Sequence, residues 1–79
     1  MTVRVRYFAV LRDRAGVAEE TISCEPQPAR ALVDDLIERR NLGLASPLIR
    51  IAVNGAFVSD EMLLSDGDEI VLIPPVAGG

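Results

Sequence analysis

Hydrophobic and polar positions alternate at the start of the chain, then recur every three to four residues, then alternate again. From Thr2 to Val10, the set Val3, Val5 and Tyr7 interleaves with Arg4, Arg6 and Phe8, a period of two that predicts a strand with one face in the core. Leu11-Arg12-Asp13-Arg14-Ala15-Gly16 breaks the alternation and Glu20, Ile22 and Cys24 resume it. A hairpin return is the simplest reading, with a second strand from Val17 to Cys24. Pro26 and Pro28 oppose further ladder pairing, and Pro28 suits the first turn of a helix, where its missing N–H costs nothing. Ala29, Leu32, Val33, Leu36 and Ile37 then fall at i, i+3, i+4, i+7 and i+8, the single apolar stripe of an amphipathic helix. Asp35 and Arg39 can pair one turn apart, Arg39 and Arg40 suit the negative end of the helix dipole, and Asn41 to Gly43 stops the helix.

Ile49, Ile51 and Val53 alternate with Arg50 and Ala52, predicting a third strand, and Asn54-Gly55 is a strong two-residue turn signal leading to a short strand at Ala56 to Val58. Ser59 to Ser65 reads as an irregular or 3₁₀ connection that carries Met62, Leu63 and Leu64 inward. Asp66-Gly67-Asp68 turns the chain into a last strand from Glu69 to Ile73, and Pro74-Pro75 ends pairing. Strands flanking one main helix predict an α+β fold, a β-grasp or ubiquitin-like roll. Its mixed sheet has four to five strands, the first and last of them central neighbours, and the helix packs on one face. The β-grasp domain would span residues 1–75 and a C-terminal Gly-Gly tail residues 76–79.

Composition narrows the chemistry. Seventy-nine residues suffice for one thin core and leave little room for an interior substrate pocket, so any chemistry belongs at an edge. The net charge of -4 removes the electrostatic drive for nucleic-acid binding. All eight basic residues are arginine, and histidine and lysine are absent. No imidazole base or ligand, no Schiff-base amine and no P-loop lysine is therefore available. A single cysteine forms no intrachain disulfide, which fits a reducing compartment, and no run reaches the roughly 18 apolar residues of a membrane span. The cytoplasm is the expected location.

Candidate sites are few. Asp66, Asp68 and Glu69 read as turn residues before they read as metal ligands, since further oxygen ligands at Ca²⁺-loop spacing are missing. Cys24 shares a strand face with Ile22 and has no cationic neighbour in sequence to activate it, so core packing is its expected role. Arg12-Asp13-Arg14 reads as a charged surface loop, with a weak docking role as the alternative. Most of the aromatics Tyr7, Phe8 and Phe57 are expected in the core. Phe8 is the exception, falling on the face opposite Val3 and Val5, where with Val10 and either Val71 or Ile73 it would form an exposed apolar patch. The tail is the unusual element: after a stiff Pro74-Pro75, the residues Val76-Ala77-Gly78-Gly79 are mostly small. Two glycines without Cβ atoms can thread a narrow channel and leave a carboxylate unhindered.

Arg6-Tyr7-Phe8-Ala9, Leu11-Arg12 with Gly16, Ala52-Val53-Asn54-Gly55, Leu64, Asp66-Gly67-Asp68-Glu69 and Ile73-Pro74-Pro75-Val76-Ala77-Gly78-Gly79 together resemble the small subunit of molybdopterin synthase, across essentially the whole chain. The resemblance implies a sulfur carrier in molybdenum cofactor biosynthesis. A ubiquitin-activating-like adenylyltransferase would use ATP to convert the Gly79 carboxylate to an acyl-adenylate. A sulfur donor of cysteine desulfurase or rhodanese type would then turn it into a thiocarboxylate. Pro74, Pro75, Val76, Ala77 and Gly78 would be the arm inserted into the large subunit, with Phe8 and Ile73 as docking residues. There the sulfur would pass to cyclic pyranopterin monophosphate to form the dithiolene. The resemblance further implies a heterotetramer, no permanently bound cofactor and no metal, and a carrier that is not itself catalytic. A sulfur carrier of another pathway, such as the thiamine type, a ubiquitin-like protein modifier and a plain interaction module remain the alternatives.

Overall fold

The computed structural model describes residues 1–76. Strand β1 is Thr2–Tyr7, helix α1 Val10–Ala15, β2 Glu19–Ser23, and helix α2 Ala29–Arg39. A 3₁₀ turn at Ser46–Leu48 leads to β3 Arg50–Val53, β4 Ala56–Phe57 and β5 Glu69–Ile73. The five strands form one mixed sheet in the order β2-β1-β5-β3-β4. As expected of a β-grasp fold, the first and last strands are parallel central neighbours, with Val5 opposite Ile70 and Tyr7 opposite Leu72. The other pairs, β1–β2, β3–β5 and β3–β4, are antiparallel.

The alternation along each strand assigns its faces. Val3, Val5 and Tyr7 of β1 and Ile70 and Leu72 of β5 are all but inaccessible to solvent. They meet Leu32, Val33 and Leu36, the buried stripe of α2, in a single core that also takes in Leu11, Leu42, Ile49, Ile51 and Leu64. Pro28 precedes α2 with an extended backbone, the conformation of an N-terminal boundary residue. Asn41 ends the helix at a left-handed φ of 52°. Its N–H donates to the Glu38 carbonyl and that of Leu42 to the Ile37 carbonyl, the hydrogen-bond pattern of a Schellman stop. Arg30 ties the helix to its surroundings by donating to the carbonyls of Ser46 (2.7 Å) and Ile49 (2.9 Å) and to the Asp60 carboxylate. The expected Asp35–Arg39 pair forms at 3.0 Å.

Several expectations are corrected. Strand β1 ends at Tyr7 rather than Val10, and the return to β2 is the helical turn α1 rather than a loop. Leu11 is its fully buried anchor, Ala15 packs one turn on, and Gly16 closes it at φ 81° with its N–H donating to the Arg12 carbonyl. Arg12, Asp13 and Arg14 are therefore helical. Leu63 points outward, 68% exposed, while Leu64 is buried. One strand-like bridge does reach Pro28, opposite Leu63. It needs no proline N–H, because the flanking bonds run from Ala29 N to the Met62 carbonyl and from Leu64 N to the Gln27 carbonyl. Phe57, assigned to the core with most of the aromatics, is 58% exposed. The 3₁₀ turn at Ser46–Leu48 has no counterpart in the sequence reading.

Candidate functional site

Because β1 and β5 are parallel, both run out at the same edge of the sheet, and this brings Phe8 to the root of the C-terminal tail. The Phe8 N–H donates to the Leu72 carbonyl (3.3 Å), so the two chain segments leave the sheet side by side. Phe8, Val10, Ile73, Pro74 and Pro75 line a shared apolar hollow of about 490 Å³. Phe8 is 44% exposed, Ile73 half-buried and Val76 almost fully exposed. Strand parity, ambiguous in the sequence for β5, is now assigned: Ile70 and Leu72 face the helix, Val71 and Ile73 the open face. The two expected docking residues thus share one patch, and Pro74, Pro75 and Val76 continue from it. Ala77, Gly78 and Gly79 lie outside the described residues.

The rest of the open face is built by register. Arg50 stands opposite Ile73, and Ala52 stands opposite both Val71 and Phe57. The Phe57 ring therefore lies on the same face as the Phe8–Ile73 patch, with the Arg50 guanidinium stacked 3.9 Å from its centroid. On the other side, Arg6 approaches the Phe8 ring at 5.7 Å. Arg4 bridges Glu19 (3.3 Å) and Glu69 (3.4 Å) across three strands. Sequence reading missed Phe57 and Arg50, yet a signal was present. A two-residue turn at Asn54-Gly55 pairs Ala52 with Phe57, and Ala52 alternates with the inward Ile51 and Val53.

The remaining candidates are structural. The Asp68 carboxylate accepts from the Ser65 N–H (2.7 Å) and the Asn54 amide (2.9 Å), and Asp66 accepts from the Thr2 N–H, so these acids hold a turn against β1 and β3. No metal-holding group of His, Cys, Asp and Glu occurs among the described residues. Cys24 is half-buried against the core, as expected. Tyr7, Glu20 and Arg40 form a tie on the helix side. The Tyr7 hydroxyl donates to Glu20 (2.6 Å), and Arg40 grips both oxygens of that carboxylate. Arg40's hydrogen bonds hold the Glu20 carboxyl below its usual range. Burial, reinforced by Glu20, pushes the Tyr7 phenol well above its own. Tyr7 is buried on the helix side of the sheet, the face opposite the Phe8–Ile73 patch. No helix among the described residues is long and apolar enough to cross a membrane.

Comparison with known proteins agrees with this picture. A model of the ThiS family matches residues 5–79. The chain is 45% identical to the molybdopterin synthase sulfur carrier subunit of Homo sapiens, over 98% of this chain and 93% of that protein. A putative molybdopterin converting factor subunit 1 from Pyrococcus furiosus superposes with a TM-score of 0.81 at 35% identity, covering 96% of this chain and 99% of that one. A chain from the complex of subunits 1 and 2 of molybdopterin-converting factor from Helicobacter pylori 26695 matches over the whole of both chains, at 30% identity and a TM-score of 0.71. The chain belongs to the ThiS family, and the curated relatives that it matches along nearly their full length include the molybdopterin synthase sulfur carrier subunits of Homo sapiens and Escherichia coli (strain K12).

Proposed function

We propose that this protein is a sulfur carrier in molybdenum cofactor biosynthesis, with Gly79 as the reacting residue. The observation that carries the reading is the match, at 45% identity over nearly both full lengths, to a molybdopterin synthase sulfur carrier subunit. The open-face geometry supports it: an apolar patch at the tail root offers an address for a partner that takes up residues 74–79. In this scheme an adenylyltransferase joins the Gly79 carboxylate to AMP with release of pyrophosphate. The terminal sulfur of a donor persulfide displaces AMP, and a donor thiol cleaves the resulting acyl disulfide to free the thiocarboxylate. An anionic sulfur nucleophile needs no base of its own, which suits a chain without histidine or lysine. Inside the large subunit that sulfur attacks cyclic pyranopterin monophosphate, and the acid, base and substrate cradle belong to the partner. ATP is consumed by the activating enzyme rather than held by this chain, whose own residues supply the reacting terminus and the docking face.

The test is intact mass spectrometry of untagged protein incubated with ATP, a cognate adenylyltransferase and a persulfide donor. Exchange of one oxygen for sulfur adds about 16 Da and maps to Gly79. An unchanged mass, with the enzymes shown active on another carrier, overturns the reading.

A further inference from the structure

Six of the eight arginines are engaged within the fold. Arg4 and Arg6 meet Glu69, with Arg4 also reaching Glu19. Arg30, Arg39 and Arg40 pair with Asp60, Asp35 and Glu20. Arg14 donates to the Leu42 carbonyl at 2.8 Å. Arg12 and Arg50 have no carboxylate within ion-pair distance and no hydrogen-bond partner among the described residues. Both lie at the tail end of the molecule, on either side of the Phe8–Ile73 patch. Arg12 projects from α1 into a hollow of about 410 Å³ shared with Arg6, Phe8 and Glu19. Arg50 stands opposite Ile73 and is held flat on the exposed Phe57 ring.

The charge distribution makes this placement informative. The chain carries a net charge of -4, and many of its acids lie away from the patch, while Glu19, which shares the Arg12 hollow, is engaged by Arg4. Asp66 and Asp68 precede β5 and Glu69 opens it, at the opposite end of the sheet, Asp34, Asp35 and Glu38 lie on α2, and Asp60 is held by Arg30. A guanidinium stacked on an aromatic ring keeps its in-plane N–H edges free and loses little side-chain freedom when a carboxylate docks on them. An Arg–carboxylate fork of this kind orients as well as attracts.

We infer that Arg12 and Arg50 form a two-point clamp for carboxylates on the protein that receives the tail, set on either side of its apolar contact with Phe8 and Ile73. The inference rests on the carrier reading above and specifies the partner surface that reading requires: an apolar spot beside the tail channel, flanked by aspartate or glutamate. Such charges act mainly on encounter rate and on the choice among partners, while the apolar patch holds the complex once formed. The clamp also fixes the rotation of the docked carrier, since two separated points define an orientation that one apolar contact does not.

The test uses the full-length, untagged chain and its cognate large subunit, with association and dissociation rates followed by surface plasmon resonance at low and at high salt. Arg12→Glu and Arg50→Glu are each expected to slow association at least about tenfold at low salt, the difference shrinking as salt screens the encounter. Arg39→Glu, an equal charge change on α2, is expected to leave the rate unchanged. Phe8→Ala is expected to speed dissociation about tenfold or more, as for a buried aromatic anchor. Arg12→Glu and Arg50→Glu proteins that associate as fast as the parent, while Phe8→Ala still weakens the complex, overturn the clamp and leave the carrier reading intact. Effects of Arg39→Glu as large as those at Arg12 and Arg50 also overturn it, since overall charge would then suffice. A parent chain that does not bind the large subunit overturns both.

Discussion

At the residue scale, the most strained position adjoins the tail root. Ala9 has φ 51° and ψ -126°, a combination that suits glycine and costs a Cβ-bearing residue on the order of 1–3 kcal/mol. The strain comes from the sharp exit of the chain from β1 into α1, which lets Leu11 reach the core while Phe8 stays outside. Replacing Ala9 by glycine removes the Cβ clash and adds back some unfolded-state entropy. The Ala9→Gly protein is therefore expected to be more stable by about 1 kcal/mol in urea denaturation. A loss of stability would mean that the Ala9 methyl group contributes more in contact than its backbone costs. Nothing in a lone alanine marks it as left-handed, so this feature was illegible in the sequence.

Among elements, the Tyr7–Glu20–Arg40 tie joins β1, β2 and the end of α2 through one carboxylate. Because the folded state lowers the Glu20 pKa, the unfolded chain binds more protons at acid pH. The stability this contributes is present above the ordinary glutamate value of about 4.3 and lost as pH falls through the depressed folded value. Tyr7 acts at the other extreme: its raised phenol contributes stability below the ordinary tyrosine value of about 10, which is lost as pH climbs toward the folded value. Glu20→Gln is expected to flatten the acid arm of a thermal-stability profile as pH falls below about 5. Parent and variant profiles of equal slope there would assign the acid sensitivity to other carboxylates. The alternation placed Glu20 correctly with Ile22 and Cys24, but its partner Arg40, twenty residues on, is visible only once α2 crosses the sheet.

For the whole molecule, the governing fact is a thin core. A domain below about 80 residues draws only about 3–5 kcal/mol from a single hydrophobic core. Leu72 is fully buried at the centre of the sheet, between β1 and β3. Truncating such a leucine costs about 2–5 kcal/mol. Leu72→Ala is thus expected to leave the chain largely unfolded at 37 °C, with far-ultraviolet circular dichroism as the readout. A cooperative melt near that of the parent would show that the core can collapse around the gap. The same economy explains where function can sit. With the helix-facing side of the sheet consumed by the core, the open side is free for partners, and its Phe8–Ile73 patch sits at the edge where β1 and β5 end together.

Local pattern alone gives the order of the strands and of α2, the inward sets of β1, β2 and β3, the amphipathic stripe and stop of α2, and the turns at Asn54-Gly55 and Asp66-Gly67-Asp68. These depend on local periodicity and backbone preference, which act over a few residues. It also marked Phe8 as outward, because a strand's alternation is strict. The phase of β5, with Ile73 outward and Leu72 inward, comes from the folded sheet, since an apolar run such as Ile70-Val71-Leu72-Ile73 has no polar member to reveal its phase. The three-dimensional fold likewise joined Phe8 to Ile73 and set Arg50 on Phe57. Those contacts arise from pairing between strands far apart in sequence, and pairing register is a property of the assembled sheet.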